Sequence, residues 1–324
     1  MKLQVIELLL VVVPYGSTDG KQLLLGDKPD SESCPDAPDI APCVCSYFPD
    51  VNATDLDCSA VEGEDQLKQI FTADFPLKKF RRFSLSGNKF VKVLESYVFN
   101  DTSFEWINIQ DNELEVIEMH ALDSCYDTAT HVDISSNKLT TFPFDILTQF
   151  SRLKMFSISN NPLSIILADA FRGLTTLEYI YLQGTTQNIV GTFQDLPNLE
   201  FIYLVNDDLT IILTNFINTG SSSLREVVLQ SNNIVSVEPG AFDIVEDLNI
   251  NLMDNSLSIL EEVTWRPYLE AGAVLYAVNN PLICGCDIAW LFGQDHLKNH
   301  IIKGTTCITG EDLHDLDPSI FDPC

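Results

Sequence analysis

The sequence predicts an α/β solenoid bent into a horseshoe, with a parallel β-sheet on its concave side and a cysteine-rich cap at each end. Three observations predict it. A nine-residue phrase, roughly L-x-x-L-x-L-x-x-N, returns nine times, eight of the nine cysteines flank the repeated region, and a second apolar column follows the first eight phrases. The phrase closes at Asn88, Asn112, Asn137, Asn161, Thr185, Asp207, Asn232, Asn255 and Asn280, at spacings of 24, 25, 24, 24, 22, 25, 23 and 25 residues. A unit of this length cannot bury its apolar face alone, so neighbours stack on one continuous core. The 324 residues therefore need no split into two globular domains.

In chain order, residues 1–18 read as a secretory signal peptide, with one lysine and a short apolar run from Leu8 to Val13. Residues 19–33 read as an acidic linker, 34–76 as the N-terminal cysteine cap, 77–282 as nine repeats and 283–324 as the C-terminal cysteine cap. No later run approaches the ~20 apolar residues of a membrane span, and no hydrophobic tail precedes Cys324. The expectation is a released, extracellular protein. Two sequons, Asn52-Ala-Thr54 and Asn100-Asp-Thr102, make Asn52 and Asn100 candidate glycosylation sites on that route.

Within each repeat the L-x-L core is expected to form a short strand. The closing Asn turns inward and satisfies backbone groups that the bend would otherwise bury unpaired. Thr185 and Asp207 break the asparagine run, so the fifth and sixth repeats are expected to be locally irregular. The convex column runs Phe99, Leu122, Leu147, Phe171, Phe193, Phe216, Phe242 and Trp265, and reads as core on the wide side of the arc. Cys125 falls in a further apolar column three residues on, with Phe150, Leu174, Leu196, Val245 and Tyr268, and reads as a buried thiol.

The flanking cysteines are Cys34, Cys43, Cys45 and Cys58 before the repeats, and Cys284, Cys286, Cys307 and Cys324 after them. Structural zinc favours C-x₂₋₄-C spacing and reducing compartments, so disulfides are expected. Four cysteines permit three pairings, and spacing does not choose among them. The segment from Asn280 through Cys286, with Trp290 and Leu291, resembles the C-terminal cap of extracellular leucine-rich repeat proteins. That resemblance implies Cys284–Cys307 and Cys286–Cys324, and by analogy Cys34–Cys45 and Cys43–Cys58. Two N-terminal segments, Cys34-Pro-Asp-Ala-Pro-Asp-Ile-Ala-Pro-Cys43-Val-Cys45 and Leu56-Asp-Cys58-Ser-Ala-Val-Glu through Phe71-Thr-Ala-Asp-Phe-Pro76, resemble a narrower group. These are secreted arthropod proteins similar to the leucine-rich, non-catalytic subunit of shrimp luciferase, oplophorus-luciferin 2-monooxygenase. The resemblance implies a non-catalytic accessory or stabilising subunit of a secreted enzyme of luciferase type, in a hetero-complex rather than a homo-oligomer. The alternative reading is an extracellular matrix or cell-surface-associated adhesion or recognition protein without an enzyme partner.

The formal charge is −29, from 47 acids against 18 bases, and eleven carboxylates stand between Asp27 and Asp65 against Lys28 alone. Such a field repels a phosphate backbone, so nucleic acid is not an expected partner. No phosphate loop, dinucleotide fingerprint, nucleophile elbow or zincin motif occurs. The i, i+4 pair His296 and His300 lacks a third metal ligand, and the strand-face row His131, Asp133, Ser135 reads as ordinary polar surface. No catalytic residue, metal or cofactor is expected. Binding is expected on the concave face, where the third, fifth and seventh positions of each phrase point outward. The first four repeats present Arg82, Ser84, Ser86; Trp106, Asn108, Gln110; His131, Asp133, Ser135; and Met155, Ser157, Ser159. Repeats five and six then present Tyr179, Tyr181, Gln183 and Phe201, Tyr203, Val205, so four rings form a two-by-two tile with Met155 and Val228 beside it. Trp106, Met155, Tyr179, Tyr181, Phe201 and Tyr203 are the predicted contacts with a protein partner.

Overall fold

The computed structural model describes residues 33–185, 192–293 and 297–324. The predicted signal peptide, the acidic linker except Ser33, and His296 lie outside the described residues. One sheet of eleven strands dominates the rest. It opens with β1 (Val44–Phe48) and β2 (Ala53–Asp57), an antiparallel pair, and continues in parallel with β3 (Lys79–Ser84). One strand from each later repeat follows: Ser103–Asn108, His131–Asp133, Met155–Ser157, Tyr179–Tyr181, Phe201–Tyr203, Glu226–Val228, Asn249–Asn251 and Val274–Tyr276. The chain is thus a leucine-rich repeat horseshoe, and the N-terminal cap donates the first two strands of its sheet.

The closing residues hold the repeats together as donors and acceptors. All nine are buried. Asn137 donates from Nδ2 to Ile109 O at 2.8 Å, in the preceding repeat, and to Ile134 O at 3.0 Å in its own, while its Oδ1 accepts from Leu114 N at 3.1 Å. Asn161, Asn232, Asn255 and Asn280 repeat the same bridge. A threonine hydroxyl carries a single hydrogen, which Thr185 gives to Leu182 O. Asp207 accepts the Thr185 N–H at 2.9 Å. Of the two repeats expected to be irregular, the segment after Thr185 in the fifth lies outside the described residues. The sixth keeps strand register with both neighbours and adds a second positive φ at Asp208, 53°.

The residue before each closing position has positive φ without exception: Gly87, Asp111, Ser136, Asn160, Gly184, Asn206, Ser231, Asp254 and Asn279, between 53° and 72°. Only short polar residues and glycine enter that region at low cost, and these nine are all Gly, Asn, Asp or Ser. At Gly184 a Cβ would come within 2.9 Å of Asn160 Oδ1, so two demands meet on one glycine.

The convex column from Phe99 to Trp265 is buried throughout, and Phe171 stacks on Phe193 at 6.4 Å. Most return legs are turns and 3-10 segments, because a repeat of 22 to 25 residues leaves little length for a helix. An exception is Glu262–Glu270, whose surface is tied by Arg266 to Glu262 and Glu270 one turn away on either side. Its Tyr268 hydroxyl accepts from Phe242 N at 3.0 Å and donates to Phe242 O at 3.2 Å, locking the helix to the previous repeat.

The ends are sealed differently. At the N-terminus Phe71, Phe83, Phe99 and Phe104 form a ring nest, with Phe83–Phe99 centroids 4.8 Å apart. Disulfides Cys34–Cys45 and Cys43–Cys58 lie outside it. At the C-terminus Ile301 bridges Leu275 and covers the last strand, with disulfides Cys284–Cys307 and Cys286–Cys324 behind. Cys125 is free and buried, and burial pushes its thiol up to about 11. No helix of the described residues is long and apolar enough to cross a membrane.

Candidate functional site: the concave face

Parallel register places equivalent side chains of successive repeats about 4.8 Å apart. The third positions therefore line up as Arg82, Trp106, His131, Met155, Tyr179, Phe201 and Glu226. Planar groups at this spacing can stack, and the tile rings do, while Trp106 and His131 meet tilted at 47°. The Arg82 guanidinium lies 4.8 Å over the Trp106 ring, Trp106 and His131 are 4.9 Å apart, and Tyr179 stacks on Phe201 at 4.9 Å and 3°. In the fifth-position row Tyr181 stacks on Tyr203 at 4.6 Å and 7°. The two-by-two arrangement follows directly from strand register.

All four rings are half-buried, and Trp106 is 37% exposed. Burial, then Glu200 and Glu178, raises the Tyr179 phenol, while burial and then Glu226 push Tyr203 up to about 12. Burial also raises the neighbouring Glu226 carboxyl. The Tyr179 and Tyr203 phenols are thus neutral hydrogen-bonding groups at physiological pH, set in an apolar tile. Charged pairs border it on the strand-entry side: Lys154 with Glu178 at 2.7 Å and Arg225 with Glu200 at 3.1 Å. The sequence reading missed this border, although the second position of each phrase spells it in register as Lys154, Glu178, Glu200, Arg225.

Several concave positions are less open than the alternation predicts. Asp133, Ser157 and Ser159 are buried, and Val228, placed beside the tile in sequence, is only 6% exposed. Short side chains on a curved sheet sink between longer neighbours, so position in the phrase fixes direction but not exposure. The row His131, Asp133, Ser135 does not assemble as a relay. Ser135 Oγ donates to Asp133 at 2.6 Å, and the His131 ring pairs instead with Thr130. Burial, then Lys154, lowers the imidazole, keeping it neutral. Among the described residues no group of three metal-ligating side chains comes together.

A family model described as "Leucine rich repeat" matches residues 127–187. With the stacked parallel strands and the buried closing ladder, the chain has the leucine-rich repeat fold. It is similar to the Oplophorus-luciferin 2-monooxygenase non-catalytic subunit of Oplophorus gracilirostris, with 28% identity over 315 residues, 89% of this chain and 87% of that protein. Shorter likenesses include lumican of Gallus gallus, 28% identical over 46% of this chain and 42% of that protein. Among solved structures, FLRT2 in its octameric complex with Latrophilin 3 and Unc5D superposes with a TM-score of 0.56 at 19% identity, covering 80% of this chain and 87% of that one. The TLR13–ssRNA13 complex gives 0.60 at 24%, covering 69% and 31%. At such identities the structural likenesses show the fold alone.

Proposed function

We propose that this is an extracellular, non-enzymatic binding protein that holds a protein partner on its concave aromatic tile, as an accessory or stabilising subunit of a secreted enzyme. The observation that carries it is the half-exposed stack of Tyr179, Phe201, Tyr181 and Tyr203 on the open face. Contiguous exposed aromatic surface is unusual on a monomer without a use, and tyrosine is enriched in interface hot spots. The accessory role draws on the relative that is itself named a non-catalytic subunit. Four disulfides suit an oxidising compartment. Asn52 and Asn100, both exposed, are the proposed glycan sites. The single-stranded RNA of the TLR13 complex does not carry over, because a net charge of −29 opposes it.

A second reading, recognition between extracellular proteins with no enzyme involved, is favoured by the FLRT2 assembly with Latrophilin 3 and Unc5D. Affinity capture of native secreted partners by the wild-type protein and by the Tyr181→Ala, Phe201→Ala variant tests both. The proposal requires a stoichiometric partner lost with the variant, and an enzyme among the captured chains. Equal capture by both proteins overturns the tile. A tile-dependent partner without enzymatic activity selects the second reading.

A further inference from the structure

The concave face carries a second feature, four strands from the tile. At its N-terminal end a cavity of about 240 Å³ is lined by Val44, Ser46 and Phe48 of β1, Asp55 and Asp57 of β2, Arg82 and Ser84 of β3, and Asn108. It is smaller than the ~300–1,000 Å³ typical of drug-sized ligand sites.

The two neighbouring arginines there are spent differently. Arg81 is committed: Nε and Nη2 grip the Asp55 carboxylate at 2.8 and 2.6 Å, and its plane lies over Phe48. Arg82 faces the cavity and makes no ion pair with any described residue. Its guanidinium lies over the Trp106 ring, with Cζ 4.8 Å from the ring centroid, and its N–H groups donate to no described residue. Such a fork is matched to a carboxylate. With Asp55 neutralised by Arg81, the acid left on the wall is Asp57, whose Oδ1 accepts only a local N–H from Ser59 at 2.9 Å. Ser84 and Asn108 add neutral polar groups, while Val44, 60% exposed, and Phe48 form an apolar wall.

We propose that this cleft binds the free C-terminus of a polypeptide. The chain-end carboxylate sits on the Arg82 fork, the amide N–H of the same terminal residue donates to Asp57, and its side chain rests on Val44 and Phe48. A terminal residue is favoured over an internal Asp or Glu because one carbon joins its N–H to its carboxylate, and this small cavity sets one acceptor against one fork. The site lies about 19 Å from the tile, at ~4.8 Å per strand, and does not depend on it.

The test uses the ¹⁵N-labelled protein and three synthetic peptides: acetyl-Gly-Ala-Leu with a free carboxylate, the same peptide as its C-terminal amide, and acetyl-Gly-Asp-Leu-amide. The readouts are the Arg82 Nε–H and Trp106 indole N–H resonances. Saturable shifts with the free acid, at least tenfold weaker binding of both amides, and at least tenfold loss in Arg82→Gln are the expected results. Val44→Glu, at an exposed position, places a like charge on the wall and should also weaken the free acid, which guards against a folding artefact in Arg82→Gln. Equal binding of acid and amide, preference for the Asp peptide, unchanged binding in both variants, or no saturable shift would each overturn the proposal.

Discussion

The closing asparagine does at each bend what a strand cannot do for itself, supplying donors and an acceptor to backbone groups of two repeats. Asn137→Leu removes two N–H donors shared among three carbonyls and one accepted bond at a buried site. It should cost about 2 kcal/mol or more, read as a fall in the denaturant midpoint; an unchanged midpoint would mean the ladder does not bear the load. Cys125 gives a second residue-scale prediction. Its thiol is held up at about 11 by burial, whereas an unfolded thiol ionises near 8.5. Below about pH 8.5 both states are protonated. As pH rises toward 11 the unfolded chain loses the proton first, so the native state binds more protons and stability falls. Cys125→Ala should shift stability by a roughly constant cavity cost and lack this alkaline decline, measured as the difference between unfolding midpoints at pH 8 and pH 10. A parallel decline in both proteins would assign it to other groups. The ladder was legible in sequence because it is polar at a fixed period. The positive-φ residue before it was equally periodic, as Gly, Asn, Asp or Ser, but a search for apolar repeats passes over it.

At the scale of strands and return legs, period two gave the direction of every concave side chain, and the tile emerged from that alone. Exposure did not, because Asp133, Ser157 and Val228 show that depth depends on the neighbours' size, which no single phrase contains. The two halves of each repeat should separate experimentally. Trp265→Ala empties a buried slot on Glu262–Glu270 and should cost about 3–5 kcal/mol of stability, without reducing partner affinity in the folded fraction. The tile pair Tyr181→Ala, Phe201→Ala breaks both ring stacks, each worth about 0.5–1.5 kcal/mol. Its stability loss should therefore be the smaller of the two by thermal denaturation. Should the tile variant melt lower than Trp265→Ala, the rings serve the sheet more than they serve binding.

Over the whole molecule, an open-ended sheet is closed by chemistry that the cysteine count announced only in outline. The C-x-C pairs marked where the caps lie, but not that β1 and β2 extend the sheet or that a phenylalanine nest plugs the N-terminal end. Those are long-range contacts with no local signature in sequence. The result is an arc whose convex side is packed as core and whose concave face keeps its aromatic rings half-open. The central claim is that this face grips a protein partner, and sedimentation velocity of the captured complex tests it most directly. Partner mixed with wild-type protein should sediment as one heavier species. The Tyr181→Ala, Phe201→Ala protein, matched for fold by circular dichroism, should leave the two components apart, since loss of two hot-spot rings costs at least about 2 kcal/mol. A heavier species formed equally by both proteins would contradict the account and move the working surface off the tile.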